Sequence, residues 1–208
     1  MAKLRITYNA PVVLTFTLLA VIVYLLPQET RVHYFAAHPQ FIEWSSYLGL
    51  VSHILGHASW EHLLGNFMLI LLLGPILEER HGSMSLFLMM MVTALVTGLV
   101  NVTVANNFLL GASGIVFMMI LLASTANIRQ GEIPLTFIAV ALVYLGGEVY
   151  QAVAKDDNVS RMAHLMGGVI GAAFGFLGAR AKRISAQKLD TKNLGLPAAK
   201  ATTPKRSI

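Results

Sequence analysis

Apolar residues gather into six runs along the chain, near residues 11–27, 61–77, 84–104, 111–127, 133–152 and 161–179. Most approach the ~17–25 residues that a helix needs to cross the hydrocarbon layer of a bilayer. The pattern predicts an all-α polytopic membrane protein. Six transmembrane helices would form one bundle over residues 11–183, with a short segment 1–10 before it and a tail 184–208 after it. The first run follows MAKLRITYNAP and leads into YLLPQET without a small-residue cleavage site, so it is expected to remain as a helix. A long connection, 28–60, joins the first two helices. Its mixture of aromatic, apolar and polar residues (VHYFAAHPQFIEWSSYLGL) predicts short amphipathic pieces at the membrane interface. The tail, rich in Lys, Ala, Thr and Pro, is predicted to be disordered.

Composition agrees with a bilayer. The chain is 56% hydrophobic and 12% charged, against the ~25% charged residues of a soluble domain, and one water-soluble globule cannot bury that much apolar surface. With the N-terminus inside, all but three of the 15 Lys and Arg residues fall in inner segments, the exceptions being Arg31, Lys155 and Arg161. That asymmetry predicts both termini on the cytoplasmic side. Anionic lipid headgroups account for the net charge of +5 without a nucleic-acid partner. The absence of cysteine excludes disulfides, cysteine-ligated zinc and thiol nucleophiles, so any chemistry falls to Ser, His, Asn or carboxylates.

Polar groups are costly inside membrane helices and mark cavities or helix contacts, so their positions are informative. In the second helix His62 and Asn66 stand four apart, on one face, within two turns of its start. Ser113 opens the fourth helix and His164 lies in the first turn of the sixth. In a six-helix topology these three helices all run from outside to inside, so their first turns share one depth just below the outer surface. Four polar side chains from three distant segments can therefore meet. Close approach of the helices would be aided by Gly111 and Gly114 around the serine and by Gly167, Gly171 and Gly175, a GxxxGxxxG face on the sixth helix. Packing alone is the commoner use of such glycines, and both roles are compatible. The turn 111-GASG-114 is not the hydrolase elbow, which needs glycine two residues after the serine, between strand and helix.

The segments 62-HLLGN-66, 111-GASG-114 and 163-AHLMG-167 resemble, in order and on the expected helices, the rhomboid family of intramembrane serine proteases. The resemblance extends over about residues 50–179 and includes His53, His57 and 78-EERHG-82, similar to the family's Glu-x-Arg-x-Gly turn. Two positions depart from it. Leu48 and Gly49 stand where many members have a Trp-Arg pair, and Phe117 stands where Tyr is often found, which bears on how the histidine ring is braced. The resemblance implies hydrolysis of peptide bonds in or near transmembrane segments, with Ser113 as nucleophile and His164 as general base and acid. Asn66, His62 and the Ser113 N–H would stabilise the oxyanion, with no cofactor and no metal. A dyad suits this setting, since a third, acidic member would add a buried charge costing ~2.5–3.5 kcal/mol. It further implies single-span membrane proteins as substrates, lateral access near the fifth helix, and residence in a bacterial inner membrane. Gly146 and Gly147 would either ease motion of the fifth helix or pack it closely, and Glu148, near its outer end, is expected to be interfacial and solvated.

Other classes fit less well. His53, His57 and His62 could gather a cation, but 57-HASWEH-62 is neither HExxH nor HxxEH, and loop-ordering hydrogen bonds are the expected role of His53 and His57. A catalytically silent rhomboid-like chaperone or substrate-binding protein is the non-enzyme alternative; such a protein should lack the serine or the histidine. Nothing resembles the paired broken helices or charge rings of transporters and channels.

Overall fold

A computed structural model describes residues 7–40, 43–105, 108–125, 132–154 and 161–193. Each of the six apolar runs forms a helix: α1 (Pro11–Tyr24), α4 (Trp60–His81), α5 (Ser83–Val100), α6 (Ser113–Ser124), α7 (Leu135–Ala154) and α8 (Arg161–Asn193). The connection 28–60 holds two more, α2 (Gln28–Phe35) and α3 (Trp44–Ser52), and a π-turn at Asn101–Ala105 extends α5. Among the described residues the only bridge between extended segments is the antiparallel pair Ala37 and Leu109.

The helices differ in length more than the apolar runs suggest. Trp60–His81, Ser83–Val104 and Arg161–Ala181 are long and apolar enough to cross a membrane, whereas Pro11–Tyr24 and Ser113–Ser124 are apolar but shorter. For α6 the reason is its place in the bundle. From Gly114 to Leu122 every residue except Phe117 is buried, against α4, α5, α7 and α8. A helix wrapped in protein has its surroundings satisfied by other helices, so its ~18 Å length need not match the ~30 Å hydrocarbon layer. The outer helices are apolar on both sides. On α4, for example, Leu63, Phe67, Ile70 and Leu77 are buried while Leu64, Met68, Leu72 and Ile76 are exposed. Such an exterior is stable only against lipid, so the chain is an integral membrane protein.

Two devices set the helices against each other. The first is the 78-EERHG-82 turn. Ala10, before α1, offers no side-chain cap; instead the buried Glu78 carboxylate accepts the Val12 and Val13 N–H groups, each at 3.0 Å. A carboxylate from the end of α4 thus takes orphan donors at the positive end of the α1 dipole. Gly82 then ends α4 with φ of 84°, a conformation that favours glycine, and the chain turns at once into α5. The second device is glycine packing of α8 on α6. A Cβ at Gly167 would collide with the Gly114 carbonyl, one at Gly171 with the Met118 carbonyl, and one at Gly175 with the Thr125 side chain. The boundary expected at residue 183 falls inside α8, which continues to Asn193; residues 194–208 lie outside the described residues.

Replacing Gly171 by Leu should force the α6 and α8 backbones apart and destabilise the protein by about 1–3 kcal/mol or more. Gly178→Leu, where an added Cβ meets nothing among the described residues, should change the thermal unfolding temperature in detergent little. Equal losses in the two variants would show that the glycine contact does not govern stability.

Candidate active site

The approach to α6 is held at two points before the helix begins. Leu109 exchanges backbone hydrogen bonds with Ala37 (2.9 and 3.1 Å), and the Gly111 N–H donates to the His53 carbonyl at 2.9 Å. Gly111 has φ of 136°, and a Cβ there would strike the His62 ring. Glycine at this position therefore serves both the turn and the neighbouring imidazole. Ser113, the first residue of α6, follows.

Its hydroxyl Oγ lies 2.7 Å from His164 Nε2, in the first turn of α8. The closeness follows from packing, because Gly114 and Gly167 bring the two backbones together immediately beside the pair. The His164 ring stacks on Phe117, one turn after Ser113, with centroids 4.6 Å apart and planes at 7°. Phe117 in turn meets Tyr144 of α7 edge-on at 6.0 Å. The missing hydroxyl at position 117 thus leaves the ring braced by an apolar face.

The other nitrogen of His164 has a partner that sequence reasoning missed. Nδ1 lies 3.0 Å from Glu148 Oε1, and both side chains are only 13% exposed. The carboxylate stands off the direction of an Nδ1–H bond, so the contact is electrostatic rather than a straight hydrogen bond. The expectation of a solvated, interfacial Glu148 is therefore overturned. Tyr144 and Glu148 are four residues apart, which places both on the α7 face turned to Phe117 and His164. A single carboxylate within the otherwise uncharged LTFIAVALVYLGGEVYQAVA was the available signal. Of the two readings of Gly146 and Gly147, close packing is not found, since a Cβ at either would meet nothing among the described residues.

His62 and Asn66 reach the site from α4. Ser59 caps that helix by accepting the His62 N–H at 3.2 Å, which fixes the register that puts both residues on one face. A cavity of about 570 Å³ is lined by Ala58, Glu61, His62, Gly65, Asn66, Phe108, Leu109, Leu110, Ser113 and His164. The four polar residues singled out in the sequence thus share one cavity. Asn66 is buried and its Nδ2 donates to His57 Nε2 at 3.0 Å, while His57 Nδ1 faces the Leu55 carbonyl at 3.3 Å. His57 therefore carries its proton on Nδ1 and orients the Asn66 amide, whose second N–H remains for another acceptor. Nearby, the N–H groups opening α6 have no acceptor within the helix.

The chain matches the Rhomboid domain family over residues 44–181, from α3 through the apolar part of α8. It belongs to the rhomboid family. Over 181 residues it is 26% identical to the rhomboid protease GlpG of Haemophilus influenzae, covering 84% of this chain and 94% of that protein. It is also 31% identical over 137 residues to rhomboid-related protein 1 of Caenorhabditis elegans, covering 61% of this chain and 38% of that longer protein. The matched region of this rhomboid contains every polar residue of the cavity together with His53 and His57.

Burial of His53 and His57 ties the stability of the fold to pH. His53 is fully buried, with Nε2 donating to the Ala94 carbonyl at 3.0 Å and Nδ1 without a described partner, and burial pushes it down to about 4. His57 is held at about 4, first by burial and then by the charge of neighbouring His62. Both stay neutral in the folded chain to about pH 4 but take a proton near 6.5 once unfolded. Between those values the unfolded state binds more protons, so stability falls as pH falls. The unfolding temperature in detergent should drop from pH 6.5 towards 4, and His57→Gln should flatten the slope; a temperature constant across that window would contradict the assignment.

Proposed function

We propose that this rhomboid is an intramembrane serine endopeptidase that hydrolyses peptide bonds in or near transmembrane segments of other membrane proteins. The observation that carries the reading is the 2.7 Å contact between Ser113 Oγ and His164 Nε2 inside a cavity that Asn66 and His62 also line. The likeness to a relative named as a rhomboid protease supports it. With Nε2 unprotonated, His164 accepts the Ser113 proton as Oγ attacks the scissile carbonyl, and returns it to the leaving amine. Water then takes the place of the amine and releases the acyl group from Ser113 by the same route in reverse.

The tetrahedral oxyanion is met by the free N–H of Asn66, by His62 and by the Ser113 N–H at the positive end of α6. Asn66 needs no reorganisation at that moment, because His57 already holds its amide. Small side chains around the turn leave space for an unwound peptide, and local unwinding is required because helical hydrogen bonds shield the scissile bond. Substrates of a single span reach the cavity laterally past α7, where Gly146 and Gly147 leave the helix loosely packed. All six apolar helices cross or dip into the membrane, both termini lie on the cytoplasmic side, and the site opens towards the outer face of a bacterial inner membrane.

Purified wild type should cleave a single-span reporter in lipid, and Ser113→Ala and His164→Ala should not. Asn66→Ala should lower kcat by roughly 10²–10³-fold, the usual effect of removing one oxyanion donor. Cleavage that survives Ser113→Ala would sink the serine mechanism. Fluorophosphonate labelling of Ser113 without cleavage of a reporter would point to an unsuitable reporter, whereas absence of both labelling and cleavage would favour a silent, substrate-binding rhomboid.

A further inference from the structure

The His164 imidazole is engaged on both nitrogens and one face. Nε2 holds Ser113 Oγ at 2.7 Å, Phe117 covers the ring plane, and Glu148 Oε1 stands 3.0 Å from Nδ1. Stacking on Phe117 fixes the plane of the ring but offers no hydrogen-bonding group, so it does not choose which nitrogen carries the proton. Glu148 does. A carboxylate beside Nδ1 favours the tautomer with the proton on Nδ1 and leaves the Nε2 lone pair facing the hydroxyl. It is also the nearest negative charge to the imidazolium that forms when Ser113 loses its proton.

Cost argues in the same direction. Glu148 is the only charged residue of α7, and its side chain is largely withdrawn from solvent. A carboxylate in an apolar helix is expensive unless it is paired, and the described partner is His164. Tyr144, one turn earlier, packs on Phe117, so α7 meets the same ring assembly twice. The carboxylate lies off the Nδ1–H direction, and catalytic hydrogen bonds are often poorly aligned until substrate is bound.

We infer that Glu148 is a positioning residue that extends the Ser113–His164 pair to a Ser113–His164–Glu148 relay, setting the tautomer of His164 and supporting its charged form. This rests on the serine-protease reading above. The proton moves from Ser113 Oγ to His164 Nε2 and on to the leaving amine; Glu148 stays ionised throughout and neither gains nor loses it.

The test uses the full chain in lipid with a single-span reporter, comparing wild type, Ser113→Ala, Glu148→Gln and Glu148→Asp. Steady-state kinetics, the rate of fluorophosphonate labelling at Ser113 and the unfolding temperature are read for each. Glu148→Gln keeps the size of the side chain but removes its charge, and should lower kcat roughly 10–100-fold with KM within twofold. The loss is smaller than the ~10⁴-fold seen when a buried triad aspartate is amidated, because this pair is partly exposed and unaligned. Labelling should slow by a similar factor, Glu148→Asp should recover part of the loss, and the unfolding temperature should stay near that of wild type.

A Glu148→Gln enzyme within twofold of wild type overturns the relay. So does a rise in KM at constant kcat, which would make Glu148 a substrate contact. Equal losses in Gln and Asp with a lowered unfolding temperature would make it only a tie between α7 and α8. Cleavage that does not depend on Ser113 overturns the relay and the serine-protease reading together, whereas Ser113-dependent cleavage indifferent to Glu148 overturns the relay alone.

Discussion

The separation of the α6 and α8 backbones sets the geometry on which the rest of the site depends. Where Gly167 faces the Gly114 carbonyl and Gly171 faces that of Met118, no side chain intervenes, and an added Cβ would have nowhere to go. Helices in lipid gain little from burying apolar surface against each other, so close van der Waals contact is the available attraction. Here that contact does two things with one distance. It makes α6 the buried centre of the bundle, and it brings the first turns of both helices near enough for a 2.7 Å hydrogen bond between Ser113 and His164.

Around that axis, polar groups are placed by backbone from distant segments. The segment leading to Ser113 is held by Ala37 and by the His53 carbonyl, both from the connection between α1 and α4. His57 from the same connection orients Asn66, and Glu78 from the far end of α4 secures the start of α1. The connection is thus a clamp on the site rather than a passive link. Asn66, His57 and Glu78, buried or nearly so, each have an identified acceptor or donor, which is what a low-dielectric interior demands. Burial is what keeps the His53 imidazole neutral, with its Nε2–H given to the Ala94 carbonyl.

Much of this was legible in the chain, and the reasons are specific. Long apolar runs mark the helices because lipid rewards apolarity on every face, and the alternation of helix direction placed His62, Asn66, Ser113 and His164 at one depth. The same all-round apolarity hid the rest. With Ile115, Met118 and Leu121 as apolar as Leu72 and Ile76, nothing in the pattern separates a helix packed in protein from one facing lipid, so the shortness of α6 was not predictable. Glu148 was misplaced because its partner is 16 positions away on another helix, and a carboxylate near a helix end reads equally well as solvated. The capping role of Glu78 was hidden for a like reason, its partners lying 65 and 66 residues earlier.

Using the same glycines for bundle and hydrogen bond has a consequence for how such a protein can change over generations. In soluble hydrolases a loop can drift, and a nucleophile can be re-aimed, without reopening the core. Here any residue larger than glycine at position 167 or 171 would move the reactive pair and the central helix contact together, so variation in the site is filtered first as variation in assembly. Adaptation to new partners is left to surfaces that do not touch that axis, such as the unpacked stretch of α7 around Gly146 and Gly147. Divergence should therefore concentrate at the rim of the bundle while its axis stays still.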